Sequence, residues 1–155
     1  STESRSNKSV SPPLTESQLL QSIADECRPA AVSLLDRLKT YPFIRREATS
    51  ELQIGLHFPQ EGGRFYALAY LDAEGVYVYL RSELRKLLGP GAMVEFHRET
   101  NRYGGFYVGN DISKPDSASC VVKYQDIVES SDGFAAFLDA YRTKFIGLLE
   151  ADETT

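Results

Sequence analysis

The feature that most constrains the fold lies near the C-terminus, where Phe134, Phe137, Leu138, Tyr141, Phe145, Leu148 and Leu149 recur at steps of three and four. That period predicts a helix of about five turns behind a cap at Asp132, with an apolar stripe along one side. Ala135, Ala136, Ala140 and Ile146 widen the stripe beyond what a single packed face requires. Such a helix must be covered, either by another layer of its own domain or by a second subunit.

The middle of the chain offers that layer. Leu52, Ile54, Leu56 and Phe58 alternate with Gln53 and His57, as expected of a half-buried strand. Residues 65–71 and 76–80 form two more alternating runs, joined by Asp72-Ala73-Glu74-Gly75, whose glycine can take the left-handed position of a hairpin turn. Further strands are expected at 93–97, 106–108 and 120–124, with residues 98–105 as a polar connection. Before the strands, Thr15-Glu16-Ser17-Gln18 has capping-box form and starts a helix through Leu19, Leu20, Ile23, Ala24 and Cys27. Pro29 either kinks that helix or starts a second one carrying Ala31, Leu34, Leu35 and Leu38. Ser82-Glu83 caps a short helix that Gly89 and Pro90 stop. Tight connections favour antiparallel pairing. The expected class is α+β: a mainly antiparallel sheet of five or six strands, packed against N-terminal helices and a long C-terminal helix.

A chain of 155 residues suits one domain. Residues 1–14, with five Ser and two Pro, read as a flexible leader, 15–150 as the domain and 151–155 as a frayed tail. Residues 1–124 hold 15 basic and 15 acidic residues, so the net charge of -5 arises in 125–155, with two basic and seven acidic ones. A neutral body with an acidic end lacks the positive field that nonspecific nucleic-acid binding or attachment to anionic membranes needs. No run approaches the length of a membrane span. Cys27 and Cys120 form neither a disulfide framework nor a C-x-x-C site, which points to a reducing, cytoplasmic setting.

Nucleotide-binding, zincin and serine-hydrolase motifs are absent from the sequence. An enzymatic alternative uses Glu95 and His97, which on a strand would share a face about 7 Å apart. With Asp72 at a strand end they form a loose, degenerate version of the acidic pattern of metal-dependent nucleases, which would need two magnesium-binding carboxylates. Separately, Glu95 and His97 could share a zinc or iron ion, with outward-facing His57 as a third ligand if its strand lay near. No cofactor or metal is otherwise implied.

The aromatic hairpin carries more information. Strict alternation places Tyr66, Leu68 and Tyr70 on one face of its first strand and Tyr77, Tyr79 and Arg81 on one face of its second. Phe65, Ala67, Ala69 and Leu71 with Val76, Val78 and Leu80 form the opposite, core-facing set. Turned outward, the tyrosines would grip a peptide or stack on a base; covered by a helix, they would be core. The connection with Arg98, Arg102 and Tyr103 could add bidentate arginine contacts, and Arg45-Arg46 could extend them.

The order of helices, three strands, helix, strands and helix over most of residues 15–150 resembles the layout of type III secretion chaperones and similar small dimeric chaperone-like proteins. The likeness is topological and implies a homodimer that holds a protein partner without catalysis. The expectation is therefore a non-enzymatic interaction module. It would bind a protein or peptide through Tyr66, Tyr70, Tyr77, Tyr79, Arg81, Arg98, Arg102 and Tyr103. The alternatives are a metal-dependent hydrolase or nuclease using Asp72, Glu95 and His97, and a module for single-stranded nucleic acid.

Overall fold

A computed structural model describes residues 12–58, 62–89, 91–104, 106–107, 119–127 and 131–153. Helix α1 (Glu16–Ser22) and α2 (Arg28–Leu38) precede a meander of β1 (Ile44–Glu47), β2 (Leu52–Phe58), β3 (Arg64–Leu71) and β4 (Gly75–Tyr79). Helices α3 (Ser82–Leu88) and α4 (Gly91–Asn101) follow, then β5 (Phe106–Tyr107), β6 (Ser119–Lys123), the single turn α5 (Tyr124–Ile127) and α6 (Ser131–Glu153). The strands form one antiparallel sheet in the order β1-β2-β3-β4-β6-β5. The α+β class is as the sequence implies. Among the described residues no helix is long and apolar enough to cross a membrane.

The helices cover one face of the sheet. Leu52, Ile54, Leu71, Val76, Val78, Cys120 and Val122 point into a core completed by Ala31, Leu34 and Leu38 of α2 and by Phe134, Leu138 and Phe145 of α6. Burying this many large side chains at roughly 1.5–3 kcal/mol each is the main force holding the layers together.

At the N-terminus the capping box forms, with the Gln18 amide donating to the Thr15 hydroxyl at 3.1 Å and the Thr15 amide to the Gln18 side chain at 3.0 Å. Leu14, assigned to the leader, is partly buried against the core, and its amide bonds the Ala48 carbonyl at 2.8 Å. Helix α1 stops at Ser22, with Ile23 extended, and Pro29 lies in the first turn of a separate α2. Arg28 bridges the break by donating to the carbonyls of Leu20 and Ile23 at 2.7 and 2.9 Å. At the other end α6 continues to Glu153, and Asp132 lies in its first turn.

Three local expectations need correction. Residues 93–97 form part of helix α4 rather than a strand. Four residues of alternation also fit a helix, and here the spacing of Ala92, Phe96 and Thr100 decides, because these three positions turn toward the core. Gly75 does not have positive φ. It is required instead by close approach, since a Cβ there would lie 2.6 Å from the Val122 carbonyl oxygen on β6. The turn is made by Asp72, whose Oδ1 accepts from the amides of Glu74 and Gly75 at 2.8 and 3.1 Å. Third, Ser82 is the first residue of α3, and Arg81 caps it without a side-chain bond.

Candidate functional site

The hairpin does not keep one alternation from end to end. Ile54 pairs with Ala69, but the next residue, Gly55, pairs with Ala67, so Leu68 is an extra residue on β3. A β-bulge of this kind reverses the facing of everything beyond it on the bulged strand. On the Leu71 side of the bulge, Tyr70 points away from the helices. On the Arg64 side, Tyr66 points into them, with 1% exposure and its ring edge-on to Phe145 of α6 at 5.2 Å. Phe65, expected in the core set, turns outward to lie edge-on to His57 at 5.7 Å.

The outer face therefore carries a different set from the one strict alternation gives. Arg46, Gln53, Tyr70, Tyr77 and Val121 form one cross-strand row from β1 to β6. Tyr70 and Tyr77 stack with centroids 4.6 Å apart and planes 7° from parallel, and Tyr79 leans on Tyr70 at 5.2 Å and 43°. All three are half-buried. Val121, opposite Tyr77, is buried on this side of the sheet although it lies outside the main core. Nearby, the Arg46 guanidinium lies 4.4 Å over the Phe65 ring while its Nε donates to the Gln53 side chain at 2.9 Å.

Carboxylates border these rings. Glu51 lies two residues before Gln53, at the end of β2, and its Oε2 is buried without a hydrogen-bond partner. Burial and, secondarily, the neighbouring Asp72 raise its pKa, against the opposing pull of Arg46. Burial pushes Tyr70 up to about 12, with Tyr77, Glu51 and Asp72 adding to the effect. Tyr79 is raised by burial and then by Glu51, and Tyr77 by burial and then by Asp72 and Glu74. The three phenols are neutral donors at physiological pH.

Of the eight expected binding residues, only Tyr70, Tyr77 and Tyr79 meet on the outer face. Tyr66 is in the core. Arg81 turns to the same side as Tyr66, 5.2 Å over its ring, ion-paired to Glu83 at 3.1 Å. It also donates to the Ala67 carbonyl at 3.3 Å, a group that the bulge leaves outside the β3–β4 ladder. Arg98 and Arg102 belong to α4 and the turn after it, paired with Glu95 and Glu99 one helical turn earlier. Tyr103 packs on Phe134 and Phe137 of α6 at 5.4 and 5.6 Å. These three are on the helical side of the sheet, because the segment read as a hairpin connection is helical.

The alternative enzymatic residues are also separated. Two positions apart on a helix, Glu95 and His97 diverge: Glu95 is exposed and paired with Arg98, whereas His97 is buried with Nδ1 against the Cys120 thiol. Burial lowers the His97 pKa and pushes Cys120 up to about 11, which keeps both neutral. Asp72 is committed to its turn. Among the described residues no three His, Cys, Asp or Glu side chains come together as a metal site. A groove of about 490 Å³ lies between α4 and α6, lined by Leu80, Phe96 and Phe137 together with Glu95, Glu99 and Lys144.

Sequence reasoning missed Glu51 and Phe65 as neighbours of the tyrosines, and named Arg46 only as an extension of the arginine-bearing connection. β1 is too short to show a period, and nothing in the spacing marks the bulge. No protein-family model matches the chain, and no curated protein or solved structure matches it at a significant level.

Proposed function

We propose that the chain is a non-enzymatic interaction module, working in the cytoplasm, that binds a protein or peptide through the outer face of its sheet. The observation that carries this reading is the Tyr70-Tyr77-Tyr79 cluster on the face of the sheet opposite the described helices. Tyrosine gives large, rigid contact area with a hydroxyl at its tip at little entropic cost, which is why it concentrates at protein interfaces. Stacking against one another holds these rings in place before a partner arrives, so less ordering is lost on binding. The unpaired Cys27 and Cys120 suit a reducing compartment.

The arginines at 98 and 102 drop out of the surface, and Arg46 takes the place that they were expected to fill. The hydrolase reading loses its main support, which was a strand face shared by Glu95 and His97.

Selection of a phage-displayed random dodecapeptide library on the wild-type protein tests the proposal. Enriched peptides should bind the wild type and weaken at least about tenfold on the Tyr77→Ala/Tyr79→Ala variant, whose fold is checked by circular dichroism. Enriched peptides that bind both proteins equally, or no enrichment at all, would contradict it.

A further inference from the structure

We infer that the partner presents a cation to this face: an arginine or lysine of a basic peptide segment, lying on the Tyr70-Tyr77-Tyr79 cluster with Glu51 as its counter-ion. The inference rests on the interaction surface proposed above and names the chemistry of its occupant.

The rings and the charges point the same way. A tyrosine face attracts a guanidinium or ammonium through its quadrupole, and the attraction grows as water is excluded. Elsewhere this protein meets the same need with its own arginines: Arg46 lies over Phe65, Arg64 and Arg81 over Tyr66, and Arg142 over Phe43, at 4.4 to 5.8 Å. Among the described residues no cation lies over Tyr70, Tyr77 or Tyr79. The charges felt by those rings are negative, with Glu51 and Asp72 acting on Tyr70, Glu51 on Tyr79, and Asp72 and Glu74 on Tyr77. Among the described residues Arg81 is the one cation that also acts on them, at Tyr79, and it is engaged by Glu83 and Tyr66.

Glu51 supplies the second, independent observation. A carboxylate oxygen buried without a hydrogen bond is costly, and a cation brought beside the same carboxylate offsets part of that cost. Arg46 is near enough to act on Glu51, but its Nε is given to Gln53 and its plane to Phe65, and it forms no ion pair with the carboxylate. An incoming arginine can pair with the Glu51 carboxylate while its plane lies on the tyrosines, two demands met by one side chain. The same carboxylates disfavour an acidic peptide or a phosphate backbone at this face. The net charge of -5 also draws a basic partner in from a distance.

The test uses peptides enriched on the wild-type protein, measured by isothermal titration against the wild type, Glu51→Gln and Tyr77→Ala/Tyr79→Ala. The inference expects those peptides to be rich in Arg and Lys. Replacing their basic residues with Gln, or Glu51 with Gln in the protein, should weaken binding about tenfold, and added salt should weaken it further. Because Gln keeps the shape of Glu and removes a buried charge, Glu51→Gln should unfold at the same temperature or higher, so a loss of binding would not reflect misfolding. Neutral or acidic peptides that depend on the tyrosines but not on Glu51 would overturn the inference and leave the interaction surface standing. Peptides indifferent to the tyrosines would overturn both. Tighter binding of a single-stranded oligonucleotide than of any basic peptide, at these same tyrosines, would replace the peptide with nucleic acid.

Discussion

Tyr66 and Tyr70 belong to the same strand, four residues apart, and they meet opposite fates. Tyr66 is sealed under α6 against Phe145, with two arginines over its ring, while Tyr70 stacks on Tyr77 on the side of the sheet opposite the described helices. Residue type cannot explain the difference. The extra residue at Leu68 explains it, because one inserted position reverses the facing of a strand. One face of the sheet is thus packed into the core and the other carries the tyrosine stack, and a single bulge decides which tyrosine lies on which.

The two faces should respond differently to substitution. Tyr66→Ala removes a buried ring from the inner face and should cost about 4 kcal/mol in urea denaturation, a large share of the roughly 5–15 kcal/mol that holds a domain folded. A much smaller loss would mean that Tyr66 is not core. Gly55→Ala probes the switch itself: a Cβ there would lie 1.9 Å from the Tyr66 carbonyl oxygen, beside the bulge, so a loss of about 2–3 kcal/mol is expected. Tyr141→Phe deletes one hydroxyl that donates to the Tyr79 carbonyl at 2.5 Å and accepts from the Arg81 amide at 3.1 Å, fastening the end of β4 to α6. Its expected cost is about 1–2 kcal/mol, read from the same denaturation curves.

On the outer face, Tyr77→Ala should cost less than about 1 kcal/mol of stability while abolishing most partner affinity, the reverse of the Tyr66 pattern. The smallest effect belongs to Glu51. Its folded pKa is raised, so protonation favours the folded state, and its contribution to stability is fully present below the unfolded pKa and lost as pH rises through the folded value. Glu51→Gln should therefore stabilise the protein at neutral pH and lose that advantage in acid, as thermal unfolding across the carboxylate range will show. A variant less stable at neutral pH than in acid, relative to wild type, would contradict this assignment.

The long helix, the capping box, strand β2 and the hairpin were all legible in the sequence because each carries its period over several residues or rests on a local side-chain bond. The α4 segment was not, since the alternation of Val94, Glu95, Phe96 and His97 is too short to separate a strand from a helix, and the decisive contacts come from α6 and β6. Three of the tyrosines were correctly grouped. Tyr66 was not, because a bulge depends on how β2 and β3 register, and Gly55, whose small size permits their close approach, reads in isolation as a weak strand position. Glu51 escaped notice for a similar reason: only folding brings it beside Asp72 and the tyrosines.

The most direct test of the account is photo-CIDNP of the tyrosine rings, with and without an enriched peptide at saturation. Rings open to a flavin dye give a signal, whereas sealed rings give none. Signal is expected from Tyr77, quenched by the peptide, and silence throughout from Tyr66 and Tyr124, each 1% exposed. A signal from Tyr66, or a Tyr77 signal that survives saturation with peptide, would contradict the division of the sheet into a sealed face and a binding face.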